Sequence, residues 1–165
     1  MTTTVYTTTG RFGVEAVRDY LRREGWHYQL FEHKPTFRAV DEAFASGVTP
    51  HHEAKTVVLR VGGGFALAVV PASHRVDLHK LRRLLDDPAV RLATEDEIAT
   101  RFPTLDVGAI PPFRPMVSMP TILDPHLLQY SRIACSAGDH RHAVIVIPEE
   151  MRQKVRPKVA DICED

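Results

Sequence analysis

Three short stretches of this sequence carry residue types that can do chemistry. Lys55 stands directly before the apolar run TVVLRV, at the mouth of a buried strand. An ammonium in that position can point into a cleft and hold an anionic group, or lie partly desolvated. Gly108-Ala109-Ile110-Pro111-Pro112 joins a glycine, which lets backbone approach a ligand closely, to two prolines that stiffen the loop. Such a loop can present N–H groups to a carbonyl or carboxylate oxygen. Gly138-Asp139-His140-Arg141-His142 falls between two expected strands, as a hairpin tip, where binding residues often sit. Each stretch also has a plain structural reading: a solvated charge at a strand end, a stiff turn, and a polar turn with glycine at its bend.

Other chemistries leave no mark. Gly-x-Ser-x-Gly is absent, and neither Cys135 nor Cys163 stands in the context of a known nucleophile family. Nine histidines are many for this length, but their spacing is poor for a metal. His51 and His52 are adjacent and point apart, His74 and His79 are five apart, and no His-Glu-x-x-His pattern exists. His140 and His142 share a face only if a strand begins there. No cofactor and no metal are therefore expected, with a metal-dependent hydrolase built from scattered histidines as an alternative.

The 21 basic residues are balanced by 21 acidic ones, which argues against a broad coat for nucleic acid. A local patch remains open. Arg75, His79, Lys80, Arg82 and Arg83 cluster around one helix, and Arg152, Lys154, Arg156 and Lys158 along another. The first group is the better candidate for phosphate contacts, and a solvated helix face is its plain alternative. No apolar run approaches the roughly 20 residues that cross a bilayer, and the Thr-rich start does not read as a secretion signal. Two cysteines are too few for a disulfide framework, so a reduced, cytoplasmic setting is the expectation; a monomer is a separate expectation that no residue pattern here decides.

The elements that must position these residues follow from periodicity. Val14, Val17 and Leu21 recur at helical spacing from Gly13 to Glu24, and Gly25 ends that helix. His27–His33 reads as a strand and Arg38–Ser46 as a short helix. Lys55–Val61 and Phe65–Val70 are β-branched runs around three glycines, hence a buried hairpin that Pro71 stops. Asp77 caps a helix whose stripe is Leu78, Leu81, Leu84 and Leu85. Val90–Leu92 is a short strand. Thr94 and Glu97 form a capping box. A proline-rich loop runs from Pro103 to Pro120, followed by strands at Thr121–Leu123, Arg132–Cys135 and His142–Ile147 and a helix that opens at Pro148. The sum is a single α+β domain over residues 13–165, with a mixed, mostly antiparallel and barrel-like sheet flanked by helices, behind a loose segment over residues 1–12.

The order of the motifs is less generic than any one of them. FEHKPTFRAVDEA, AKTVVLRVGGGFALAVVPASHRVDLHKLRRLL, VGAIPPF and SAGDHRHAVIVIPEE together resemble the YbaK/prolyl-tRNA synthetase-associated editing domain family over nearly the full chain. The lysine that opens a strand, the Gly-x-x-x-Pro loop and the late Gly-x-His tip are matched by Lys55, by Gly108 with Pro112, and by Gly138 with His140. The resemblance implies an aminoacyl-tRNA deacylase acting on the acceptor end of mischarged tRNA, with help from the terminal ribose hydroxyl. It implies catalytic roles for Lys55, Gly108 and His140, and substrate contacts from His33, Ile110, Pro112, Gly138 and Asp139. Arg75, Lys80, Arg82 and Arg83 would meet the tRNA. Such chemistry fits the missing triad, because an aminoacyl ester is already activated and needs mainly an oriented water and a steadied oxyanion. Arg114 and Asp139 depart from the family pattern, where many relatives carry Gly and Ser. They keep open a module of the same fold that binds an amino acid or aminoacyl end without hydrolysing it.

Overall fold

The longest apolar run in the chain becomes its spine. A computed structural model describes residues 13–113 and 118–165, so residues 1–12 and Arg114 lie outside the described part. Strands β2 (Glu53–Val61) and β3 (Gly64–Pro71) form an antiparallel hairpin, with Ala54 opposite Pro71 and Val61 opposite Gly64. At nine residues, β2 is long enough to share its other edge between two partners. Its start pairs in parallel with β6 (Ile133–Ser136), and its end pairs antiparallel with β4 (Arg91–Leu92).

The remaining strands extend this centre to either side. β7 (His142–Val146) lies antiparallel to β6, and β1 (Tyr28–Glu32) lies antiparallel to β7. On the far side, β3 pairs in parallel with β5 (Thr121–Leu123), and β5 with β8 (Lys158–Val159). The order β1-β7-β6-β2-β3-β5-β8, with β4 beside β2, is a single mixed sheet that does not close on itself.

Helices cover the sheet because alternate residues leave it apolar on both faces. Ala54, Val58, Leu67 and Val69 belong to a core with Val17 and Leu21 of α1 (Gly13–Arg23). Leu59, Ala66, Ala68 and Val70 form the second core with Leu81 of α3 (Leu78–Leu85). The helix α2 (Ala39–Ala45) packs on the start of β2. The last two helices are α4 (Glu95–Arg101) and α5 (Pro148–Val155). None of the described helices is long and apolar enough to cross a membrane.

The local rules held where side chains meet the backbone directly. The Asp77 carboxylate accepts from the Lys80 N–H, and Thr94 and Glu97 complete the capping box. The amphipathic stripe of α3 is narrower than its pattern suggests, since only Leu81 is fully buried and Leu78, Leu84 and Leu85 pack from the rim. Phe44 is 68% exposed despite its place in α2. Two 3-10 turns, Pro50–His52 and Pro125–Gln129, and the short β8 had no sequence signal.

Gly13 opens α1 against the loop that follows α4. A Cβ there would stand 2.3 Å from the Thr104 carbonyl oxygen, which is backbone and cannot step aside cheaply. Gly13→Ala should therefore destabilise the protein by about 1–3 kcal/mol through overpacking, read as a fall in the urea midpoint.

Candidate functional site

Two loops are hydrogen-bonded to each other at one end of the sheet. The Asp106 N–H donates to the Gly138 carbonyl at 2.9 Å, and the Gly138 N–H donates to the Ala109 carbonyl at 3.0 Å. The glycine–proline loop and the β6–β7 tip thus form one backbone unit. Gly108 has φ +88°, a conformation that L side chains rarely adopt, and a Cβ there would point at the His140 ring from 3.4 Å. Gly138 has φ +102° and would meet Leu105 and Gly13 with any side chain, so its role in the fold is close packing.

The tip residues divide between construction and exposure. Asp139 Oδ1 accepts from the Arg141 and His142 N–H groups at 2.9 and 2.8 Å, and its carboxylate also meets His142 Nδ1 at 3.0 Å. Its charge is therefore taken up in building the turn. The His140 carbonyl accepts from the Thr36 N–H, while its ring packs on Phe37 with centroids 4.8 Å apart. Phe37 itself is 74% exposed, a large aromatic left at an opening. His33 is tied to the same tip by its N–H, which donates to the Arg141 carbonyl at 2.7 Å.

A cavity of about 420 Å³ opens beside this unit and brings together Lys55, Gly108 and Ile110, with Phe37, Arg38 and Val58 also in its wall. Pro112 is buried next to Phe113 and does not line it. The Lys55 amine donates to the His74 carbonyl at 2.8 Å. Burial draws its pKa down; Cys163 opposes that and Arg75 adds to it. A second, smaller recess is walled by Glu42, Gly108, Ser136 and His140.

That recess holds what the sequence reading missed. The Ser136 hydroxyl donates to Glu42 at 2.8 Å, and Glu42 Oε2 lies 3.5 Å from His33 Nε2. Glu42 is almost completely buried, and Glu53 is fully buried. Burial, and then the neighbouring Glu42 carboxylate, push the Glu53 carboxyl up to about 12, so it is neutral at physiological pH. The available signal was Glu53 itself, an acid set two residues before Lys55 at the head of an apolar strand.

The basic patch is thinner than its sequence suggests. Lys80 Nζ binds Asp161 at 3.0 Å, Asp165 at 3.1 Å and the Cys163 carbonyl at 2.7 Å, which fastens the C-terminal segment to α3. Arg82 donates to the Val90 carbonyl at 2.9 Å. Arg75 and Arg83 are exposed, as is His79. Among the described residues, the group of metal-ligating side chains that converges is Asp124, His126 and Cys163, which is not part of the cavity wall.

Comparison with known proteins bears on the family and the fold. The family model of the aminoacyl-tRNA editing domain matches residues 33–154. A crystal structure of a candidate trans-editing enzyme for prolyl tRNA synthetase is 28% identical, with a TM-score of 0.81 over 93% of this chain and 98% of the other. A scaffold used in computational epitope backbone grafting is 25% identical, with a TM-score of 0.82 over 93% and 97%. A hypothetical protein at 23% identity shares the fold, with a TM-score of 0.81 over 90% of this chain and 99% of the other.

The Glu53 carboxyl predicts an alkaline weakness. Its folded pKa is raised above the unfolded value of about 4.5, so folding must hold a proton that the unfolded chain releases. The stability it allows is complete below that value and falls as pH climbs toward about 12. Glu53→Gln, which is permanently neutral, should flatten this decline. Thermal midpoints compared at pH 6 and pH 9 will show a smaller drop in the variant, and parallel drops would contradict the assignment.

Proposed function

The chain belongs to the aminoacyl-tRNA editing domain family, and from that premise we propose that it is a cytoplasmic trans-editing deacylase that hydrolyses the ester of mischarged tRNA. The observation that carries this reading is the convergence of Lys55, Gly108 and Ile110 on one cavity, with His140 against Gly108. The acceptor end enters past Phe37, and the aminoacyl group occupies the cavity.

Lys55 binds the phosphate or ribose end and orients the ester. It exchanges the neutral His74 carbonyl for an anionic acceptor, and charge-assisted hydrogen bonds are roughly twice as strong as neutral ones. Backbone N–H groups at the Gly108 bend steady the oxyanion as water attacks the ester carbon. The C–O bond to the ribose then breaks, and the ribose hydroxyl leaves with a proton. No residue has to act as a covalent nucleophile, because the ester is activated and positioning supplies most of the rate.

The reading is tested with a panel of charged tRNAs. Wild-type protein should release the amino acid from at least one mischarged species, and Lys55→Ala should lower kcat/KM by ~100-fold or more. Binding of charged tRNA without release by the wild type would favour a non-hydrolytic module instead. Gly108→Val, which forces a branched side chain into a positive φ beside His140, should abolish turnover. Full activity in that variant would remove the loop from the mechanism. Arg83→Glu, at an exposed position of α3, should weaken tRNA binding yet leave hydrolysis of a minimal aminoacyl-nucleoside unchanged.

A further inference from the structure

Asp124 follows β5 directly and is fully buried. Its Oδ1 accepts from the His126 N–H at 2.9 Å and meets His126 Nδ1 at 2.5 Å, and its Oδ2 accepts from the Ile162 N–H at 3.0 Å. Cys163 is 3% exposed and bridges to Val76 in the other direction. One donor atom from each of Asp124, His126 and Cys163 lies within 4.8 Å of the others. The His74 ring stands with its centroid 5.1 Å from that of His126, and its Nδ1 is engaged by Ser73 Oγ at 2.9 Å. His74, His126 and Cys163 all line a cavity of about 690 Å³, so an ion has a way in.

We propose that Asp124, His126 and Cys163, with water as the fourth ligand, form a tetrahedral site for a divalent transition-metal ion of the zinc class. The donor set decides the class. One thiolate, one imidazole nitrogen and a carboxylate suit Zn2+ and Co2+, whereas Mg2+ and Ca2+ take oxygen donors alone. The charges also close: a carboxylate and a thiolate balance a divalent ion, with the imidazole and the water neutral. On binding, the Cys163 thiol proton passes to water as the sulfur–metal bond forms. The ion would join β5 to the C-terminal segment, so its role is to fasten the fold, and it would sit on the side of Lys55 where the amine donates to the His74 carbonyl.

The test uses the full chain after treatment with a chelator. Co2+ added in increments should give, at one equivalent, the thiolate-to-cobalt charge-transfer band and the intense visible bands of a tetrahedral ion. Zn2+ should then erase both and raise the thermal midpoint. Cys163→Ser should lose the charge-transfer band while keeping its circular dichroism spectrum. His126→Gln, at a half-exposed position that the fold can tolerate, should bind Co2+ at least ~10-fold more weakly. His79→Ala, exposed on α3, should match the wild type. A wild-type protein without the charge-transfer band, or a Cys163→Ser spectrum equal to that of the wild type, would overturn the site.

Discussion

The pairing of β2 on both of its edges is the constraint from which the rest of the arrangement follows. A buried strand needs partners for its backbone N–H and C=O groups, and β2 finds them with β3 along one edge and, at the two ends of the other edge, with β6 at Glu53–Ala54 and β4 at Leu59–Arg60, so that the stretch between them lines the cavity. Because β6 takes only the first residues, the β6–β7 hairpin is anchored at the end where Lys55 emerges. Its tip is thereby carried to the glycine–proline loop, and two backbone hydrogen bonds lock the pair. A cavity that draws on residues more than fifty positions apart is the outcome of one edge being divided.

Electrostatics around that cavity are set from beneath it. Two buried carboxyl groups cannot both be ionised in a low-dielectric surround, and the structure resolves the conflict by keeping Glu53 neutral beside Glu42. Glu42 in turn orients the Ser136 hydroxyl toward itself and faces His33. Ser136, Glu42 and His33 thus stand together at the recess, with Glu53 buried beside Glu42. Buried networks of this kind rigidify a site when satisfied, and they are costly where a partner is missing.

Much of the fold was legible from local rules, because those rules act between residues close in sequence. The β2–β3 hairpin, the Asp77 cap, the Thr94–Glu97 box and the proline at the start of α5 each depend on a few neighbouring side chains. What escaped depends on long-range placement. Lys80 and Arg82 read as part of a basic face, but the Val90 carbonyl claims Arg82 from eight positions on and the acids of the C-terminal segment claim Lys80 from more than eighty, and no spacing rule announces either. Glu42 and Glu53 escaped for the same reason, since an acid in a short helix and another at a strand head look solvated until the sheet brings them together. His74 and His126 are likewise far apart in the chain and meet only because β3 and β5 are neighbours.

Gly13, Gly108 and Gly138 give the corner between α1, the glycine–proline loop and the hairpin tip a further property. At Gly13 and Gly138 a first carbon would press on backbone or on Leu105, and at Gly108 the backbone conformation itself excludes one. Single amino-acid replacements cannot reshape this side of the cavity without moving whole segments. Val57 and Val58, which line the cavity from β2, are ordinary side chains that can be exchanged for larger or smaller ones in one step. A change in the size of the group that fits the cavity is thus easier to reach through the side chains of β2 than through the backbone of the glycine-built corner.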